Sequence, residues 1–375
     1  MMLETRRTGG RRWPLLPAAA LLALCCAVAA QESGTKDSVK LADGTTESGL
    51  IESEDFGGLS IKGGGGKERV IPWKDVVDTT YRGVDEYATA VADWMAGRLP
   101  EAEAGFSKLA AQPKLRPVVR QQALFHLAVV LESEGKGSDA AATWRTLMTD
   151  FPRGRYLAAA AEALVAAKLA AKDAAGAAAE LAKIEEATKG FADVRPALSI
   201  LKGTVLEAQN KPADALAVYS AAALDAAATP EVKAAAELGK ARCQKLDKKP
   251  ADAEATLRKL VTSTDAPPRV LAGAWNEIGD ILLEQGRAST SEDKLQEALF
   301  AYLRSSVQYL PLPGEPTRDY ERALAGSARC FKFISEITQK PERKDLYNTR
   351  SRQRTEKLRT EFPGSEFLAG LEPGR

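Results

Sequence analysis

From residue 84 onward the hydrophobic pattern of the chain returns with a nearly fixed period. A small residue followed four positions later by a larger apolar or aromatic one occurs at Ala102/Phe106, Ala140/Trp144, Ala177/Leu181, Ala215/Tyr219, Ala253/Leu257 and Ala298/Tyr302. The alanines lie 38, 37, 38, 38 and 45 residues apart, the last interval lengthened by the polar stretch 287–296. Residues four apart share one helix face, so each pair predicts a helix that approaches its neighbour closely at the alanine and fills the adjoining space with the larger side chain. Turns are expected at Gly97, Gly135, Lys172, Asn210, Lys248 and Gly286, and Pro113, Pro152, Pro230 and Pro267 mark links between repeats. Six copies in one register predict stacked helix pairs, with thin packing in the Ala-rich stretch 158–187.

The stretch 36–82 has a different texture, with short apolar runs separated by Asp43-Gly44, Gly57-Gly58 and Gly63 to Gly66. Asp-Gly between apolar runs predicts a hairpin, with positive φ at both central residues if the turn is the mirror-image two-residue type. Four or five short strands follow, forming a small curled sheet or partial barrel with Leu41, Leu50, Ile61, Ile71 and Trp73 as its expected core. The run Gly63 to Lys67 is not a phosphate loop. That motif needs Gly at 61 and Ser or Thr at 68, where this chain has Ile61 and Glu68.

The repeated pairs resemble the tetratricopeptide repeat (TPR) family, most clearly at Trp275, Ile278, Gly279, Gly286, Ala298 and Tyr302, and again at Gly203, Ala215, Tyr219 and Ala222. The resemblance covers residues 84 to about 367 and implies a mainly α fold, an α-solenoid of about seven helix pairs preceded by a small β-rich module. Residues 36–82 resemble Sm-like and SH3-like small barrels. The endings Leu147 to Pro152 and Leu358 to Ser365 resemble the ends of repeats in envelope-assembly TPR proteins of bacterial periplasms.

Residues 1–30 read as a signal peptide: four arginines at 6, 7, 11 and 12, an uncharged run from Leu15, and small residues at Ala27-Val28-Ala29-Ala30. The 16-residue apolar run is shorter than the roughly 20 a membrane-spanning helix needs. An exported, periplasmic or cell-envelope location is therefore expected, in preference to a lipoprotein or a retained anchor. Removing residues 1–30 removes four Arg and Glu4, so the formal net charge of +1 becomes −2, and only Cys243 and Cys330 of the four cysteines remain. These two occupy the same motif position, in 239–243 and 326–330, two repeats apart and beyond disulfide reach. The expected organisation is 1–30 signal peptide, 36–82 β module, 84–367 helical repeats and 368–375 C-terminal tail.

Chemistry enters this picture mainly by exclusion. His126 is the only histidine, and no Cys-x-x-Cys or His-Glu-x-x-His accompanies it, so no metal, cofactor or catalytic site is expected. The near-zero charge offers no footprint for nucleic acid. If the TPR register holds, the first helices of the pairs line a concave groove suited to an extended or helical protein segment. Phe125, Val129, Glu132, Arg242, Lys245, Asn276, Asp280 and Glu284 would then face it. The expected function is a non-enzymatic scaffold for protein–protein interaction in the cell envelope. The alternative is an anionic polymer or membrane surface held by 340–359, where eight Lys and Arg face three acidic residues, a local charge of +5.

Overall fold

The computed structural model describes residues 36–112, 114–311 and 317–371; the expected signal peptide lies outside the described residues. Five antiparallel strands come first: β1 Asp37–Leu41, β2 Thr46–Asp55, β3 Gly58–Lys62, β4 Glu68–Ile71 and β5 Val76–Thr80, in the order β4-β3-β2-β1-β5. A single 3-10 turn, Trp73–Asp75, joins β4 to β5. The hairpin at Asp43-Gly44 forms, but only Gly44 has positive φ. Leu41 N–H donates to the Thr45 carbonyl and Gly44 N–H to the Leu41 carbonyl, a three-residue loop closed by a left-handed glycine.

Of the expected sheet core, Leu41, Ile61 and Ile71 are buried, whereas Leu50 and Trp73 are only half-buried. Ile51 takes the place of Leu50. A Cβ on Gly49 would lie 2.4 Å from the Lys62 carbonyl oxygen, so the glycine faces the crossing strand, and alternation brings Ile51 to the same face. The register of β2 against β3 then shifts between Ile51 and Ser53. One extra residue reverses the alternation and turns Glu54 inward, leaving it 3% exposed.

The sheet is docked on the helices that follow. Val118 and Val119 belong to its apolar core. Phe56 N–H donates to the Arg153 carbonyl, Arg155 N–H to the Glu54 carbonyl, and Asp55 bridges to Gly154. The Glu54 carboxylate accepts from the Tyr81 hydroxyl and from Gln122 Nε2 at 2.6 Å, with Arg155 3.7 Å away. Burial outweighs these partners and raises its pKa.

Fourteen helices follow among the described residues, in seven pairs: α1 Asp85–Met95 with α2 Leu99–Ala110, α3 Pro117–Ser133 with α4 Gly137–Asp150, α5 Leu157–Ala170 with α6 Ala174–Thr188, α7 Arg195–Ala208 with α8 Pro212–Leu224, α9 Pro230–Leu246 with α10 Pro250–Leu260, α11 Pro268–Ser289 with α12 Glu292–Gln308, and α13 Arg318–Ile337 with α14 Pro341–Glu361. Five of the six expected turns carry positive φ, at Gly97, Gly135, Lys172, Asn210 and Lys248. The sixth does not. α11 runs through Gly286, and the left-handed residue is Thr290. A Cβ at Gly286 would lie 2.9 Å from Leu295, so this glycine serves the contact between α11 and α12. The polar stretch 287–296 is thus largely helix, adding about one turn to each member of the sixth pair.

In two repeats the larger residue is a wedge between first helices. The Tyr219 ring sits between Gly203 of α7 and Gly239 of α9, where added Cβ atoms would lie 2.4 and 2.5 Å from it. Tyr302 sits likewise between Gly279 and Gly326, at 2.8 and 2.3 Å. Gly326→Ala is therefore expected to cost about 1–3 kcal/mol by overpacking. Gly57→Ala, with nothing within 4 Å of an added Cβ, provides the comparison. Urea unfolding midpoints test this, and equal midpoints for the two variants would refute the wedge.

Candidate functional site

First helices of neighbouring pairs touch one another, α5 with α7, α7 with α9, α9 with α11 and α11 with α13. Second helices of neighbouring pairs make no comparable contact among the described residues. The first helices therefore form the inner layer of the stack, and the second helices the outer one. The curl brings distant pairs within side-chain reach: Arg269, at the start of α11, pairs with Glu162 on α5, 107 residues away, with one contact at 3.1 Å.

In the C-terminal half, the inner layer carries a chain of ion pairs. Arg242 Nε donates to Glu207 at 3.0 Å and its Nη2 to the Tyr219 hydroxyl at 3.2 Å, while that hydroxyl donates to Glu207. Lys245 pairs with Glu277 and lies 3.5 Å from Asp280. Arg322 of α13 donates to Glu277 at 2.8 Å and also binds Asp280, which accepts from the Tyr302 hydroxyl at 2.5 Å. Each tyrosine thus passes between two inner helices and ends on a carboxylate. Burial, above all, keeps both phenols protonated and so able to donate. Desolvation alone would raise the pKa of Glu277, but the charges of Arg322 and Lys245 overcome it and hold the group down at about 2. Arg242, Lys245 and Arg322 balance Glu207, Glu277 and Asp280, so this part of the face is electrically self-contained.

The eight residues expected in the groove fall into two groups that the structure does not bring together. Arg242, Lys245 and Asp280 belong to the ion-pair chain. Asn276 is wholly buried between α11 and α13, donating Nδ2 to the Asp319 carbonyl at 2.8 Å, and Glu284, one turn beyond Asp280, is exposed. In the second pair, Phe125 is half-buried and stacked on Tyr156 at 3.8 Å between ring centroids, and Val129 is buried behind it. Glu132 is exposed and accepts from Trp144 Nε1 at 2.8 Å. The pair Glu162–Arg269 was not among the expected residues. Contacts between repeats three apart leave no local trace in a sequence whose period reports only neighbours.

His126 stacks on Phe106, with Tyr87, Trp94 and Phe125 edge-on around it. Its Nδ1 donates to the Gln122 carbonyl at 2.9 Å, and desolvation lowers its pKa to about 4, so it is a neutral packing residue. Cys243 and Cys330 are buried free thiols. Burial pushes both up, Cys243 to about 11. Among the described residues no group of His, Cys, Asp and Glu is arranged to hold a metal ion, and no helix is long and apolar enough to cross a membrane.

No protein-family model and no curated protein matches the chain. Solved structures similar to it include PilF of Pseudomonas aeruginosa, 17% identical, covering 67% of this chain and 96% of PilF with a TM-score of 0.38. A tetratricopeptide repeat protein of Parabacteroides merdae is 12% identical over 76% of this chain and 97% of its own, with a TM-score of 0.44. The C-terminal part of a TPR repeat-containing protein of Cytophaga hutchinsonii is 11% identical over 77% of this chain and 100% of its own, at 0.37. The helix-pair architecture of the present chain stands on its own contacts.

Proposed function

We propose that this chain is an exported, non-catalytic scaffold whose inner face takes up an extended or helical segment of a partner protein in the cell envelope. The approach of Glu162 to Arg269 carries the reading, because it makes the inner face a groove with two sides instead of an open sheet of helices. The paired charges at its C-terminal end set the shape of the groove and leave few free charges to offer. Its N-terminal end presents Phe125 stacked on Tyr156, with Glu132 close enough to Glu162 for their charges to interact. An apolar anchor followed by a basic residue suits that end, the basic group competing with Arg269 for Glu162. The strand module, docked on α3, acts as the N-terminal cap that a solenoid requires.

Photo-crosslinking in the native cell tests this. A crosslinking residue at Glu132 or at Glu284 is expected to capture one and the same envelope protein, whereas one at Glu101 or Asp214, exposed on the outer helices α2 and α8, is expected to capture none. Adducts confined to the outer positions would overturn the proposal.

A further inference from the structure

The outer layer has its own recess, at the opposite end from the strand module. α12 and α14 are second helices of neighbouring pairs and stand apart, leaving a cavity of about 330 Å³. Its floor is Phe331 of α13, one wall includes Leu303 of α12, and the other presents Arg350, Arg354 and Lys357 of α14. The spacings of four and three place these cations on one helix face. On α12, Phe300 and Val307 flank Leu303 at the same kind of spacing, and each is 64% exposed. Leu303 is half-buried against the core, which α12 builds with Leu295, Ala298, Leu299, Ala301 and Tyr302, but Phe300 and Val307 at i and i+7 are bulky apolar side chains outside it.

Two of the three charges on the facing wall are not neutralised from within. Lys357 lies 3.7 Å from Glu361, but among the described residues neither Arg350 nor Arg354 has a carboxylate within 4 Å, and no carboxylate lines the cavity. Among the described residues Arg350 donates to the Gln353 amide oxygen, at 3.5 Å. Arg354 is near enough to Lys357 for the two charges to repel. An apolar wall facing a cationic wall across a recess has a definite complement.

We propose that the recess between α12 and α14 is a docking site for an acidic amphipathic helix of a partner protein, which lays its apolar face on Phe300, Leu303 and Val307 and its carboxylates against Arg350 and Arg354. The apolar stripe from Phe300 to Val307 runs about 10 Å, so some two turns of the partner engage it. A bilayer surface fits less well, because the site is a recess between two helices with Phe331 of the intervening helix α13 in its lining. The inference is independent of the inner groove and does not require it to be occupied.

Fluorescence anisotropy on the full chain provides the test. The probe is a fluorescein-labelled helical peptide of about four turns, with leucines at helical spacing and glutamates on both edges. Its Glu→Gln counterpart is the comparison, and phosphatidylglycerol vesicles are the second arm. The glutamate peptide is expected to bind saturably, the glutamine peptide at least about tenfold more weakly. The double variant Arg350→Glu/Arg354→Glu and the variant Phe300→Ser/Val307→Ser are each expected to weaken binding by a similar factor. All four positions are at least partly exposed, so circular dichroism and the thermal midpoint should stay as in the parent chain. Peptide binding indifferent to both variants overturns the proposal. So does vesicle binding abolished by the arginine variant in the absence of peptide binding, which assigns the surface to anionic lipid. Self-association lost in the phenylalanine variant, again without peptide binding, assigns it to a second copy of the chain.

Discussion

Replacing Arg116 with alanine is expected to cost about 3–5 kcal/mol and to loosen the strand module from the helices. Asp37, in β1, is fully buried, and Arg116 at the start of α3 grips it with two nitrogens at 2.8 and 2.6 Å while also donating to the Ile51 carbonyl at 2.9 Å. Burial works to raise the Asp37 pKa, yet Arg116 and the backbone N–H groups of Arg82 and Ile51 bring it below the ordinary value. Without the guanidinium, the carboxylate stays in the interior with two backbone donors and no countercharge. Removing one member of a buried pair costs more than the pair contributes, because the remaining charge has no solvent to return to. Asp37→Asn in the Arg116→Ala background should therefore recover part of the loss. Denaturant unfolding of the two single variants and the double variant measures this directly. A loss of under about 0.5 kcal/mol for Arg116→Ala, or no recovery in the double variant, would show that the pair does not hold the module in place.

The helix pairs were legible in the sequence because close approach of two helices needs a small residue at a fixed place, and Ala102, Ala140, Ala177, Ala215, Ala253 and Ala298 mark that place in each of six repeats. The turns were legible at five positions for a related reason: a left-handed residue follows the first helix in each of the first five pairs, and Gly, Asn and Lys stood there. Gly286 misled because a glycine used for packing reads the same as a glycine used for a turn. Glu54 was unreadable as a buried residue, since a bulge in β2, set by pairing with β3, decides which way it points. The inner ion-pair chain was half visible. Arg242, Lys245 and Asp280 were expected on this face, but as ligands for a partner. Their own partners Glu207, Glu277 and Arg322 lie in neighbouring pairs. The matching motifs 239–242 and 326–329 place Arg329 in the register of Arg242, yet the side chain of the seventh pair that reaches the carboxylates Glu277 and Asp280 is Arg322, two turns earlier. Register along the chain tells which face a residue occupies, and only the curl of the stack tells which charge it meets.

Arg322→Ala is expected to produce a loss of similar size, about 3–5 kcal/mol at neutral pH, with a pH dependence that identifies its origin. Glu277 is 3% exposed and faces two cations, of which Arg322 has the greater influence on its pKa. In the native chain the group sits at about 2 against its ordinary 4.5. A carboxyl depressed on folding binds fewer protons in the folded state. It therefore contributes stability that is fully present above about 4.5 and is lost as the pH falls from there towards about 2. The size of that contribution is about 3 kcal/mol, taking 1.36 kcal/mol for each pH unit of displacement. Once Arg322 is gone, Lys245 alone faces Glu277, the folded-state pKa rises, and the contribution shrinks or changes sign. The gap between native chain and variant should thus be widest near pH 7 and narrow steadily below pH 4.5, where the native chain loses what the variant never had. Because each pair of a solenoid is held mainly by its neighbours, the damage should also be local. Hydrogen exchange is expected to accelerate first in α13 and α14, while α3 to α6 keep their native protection. A gap that stayed constant down to pH 3 would mean that Arg322 acts through packing of its stem alone, and uniform loss of protection along the chain would mean that the pairs unfold as a single unit.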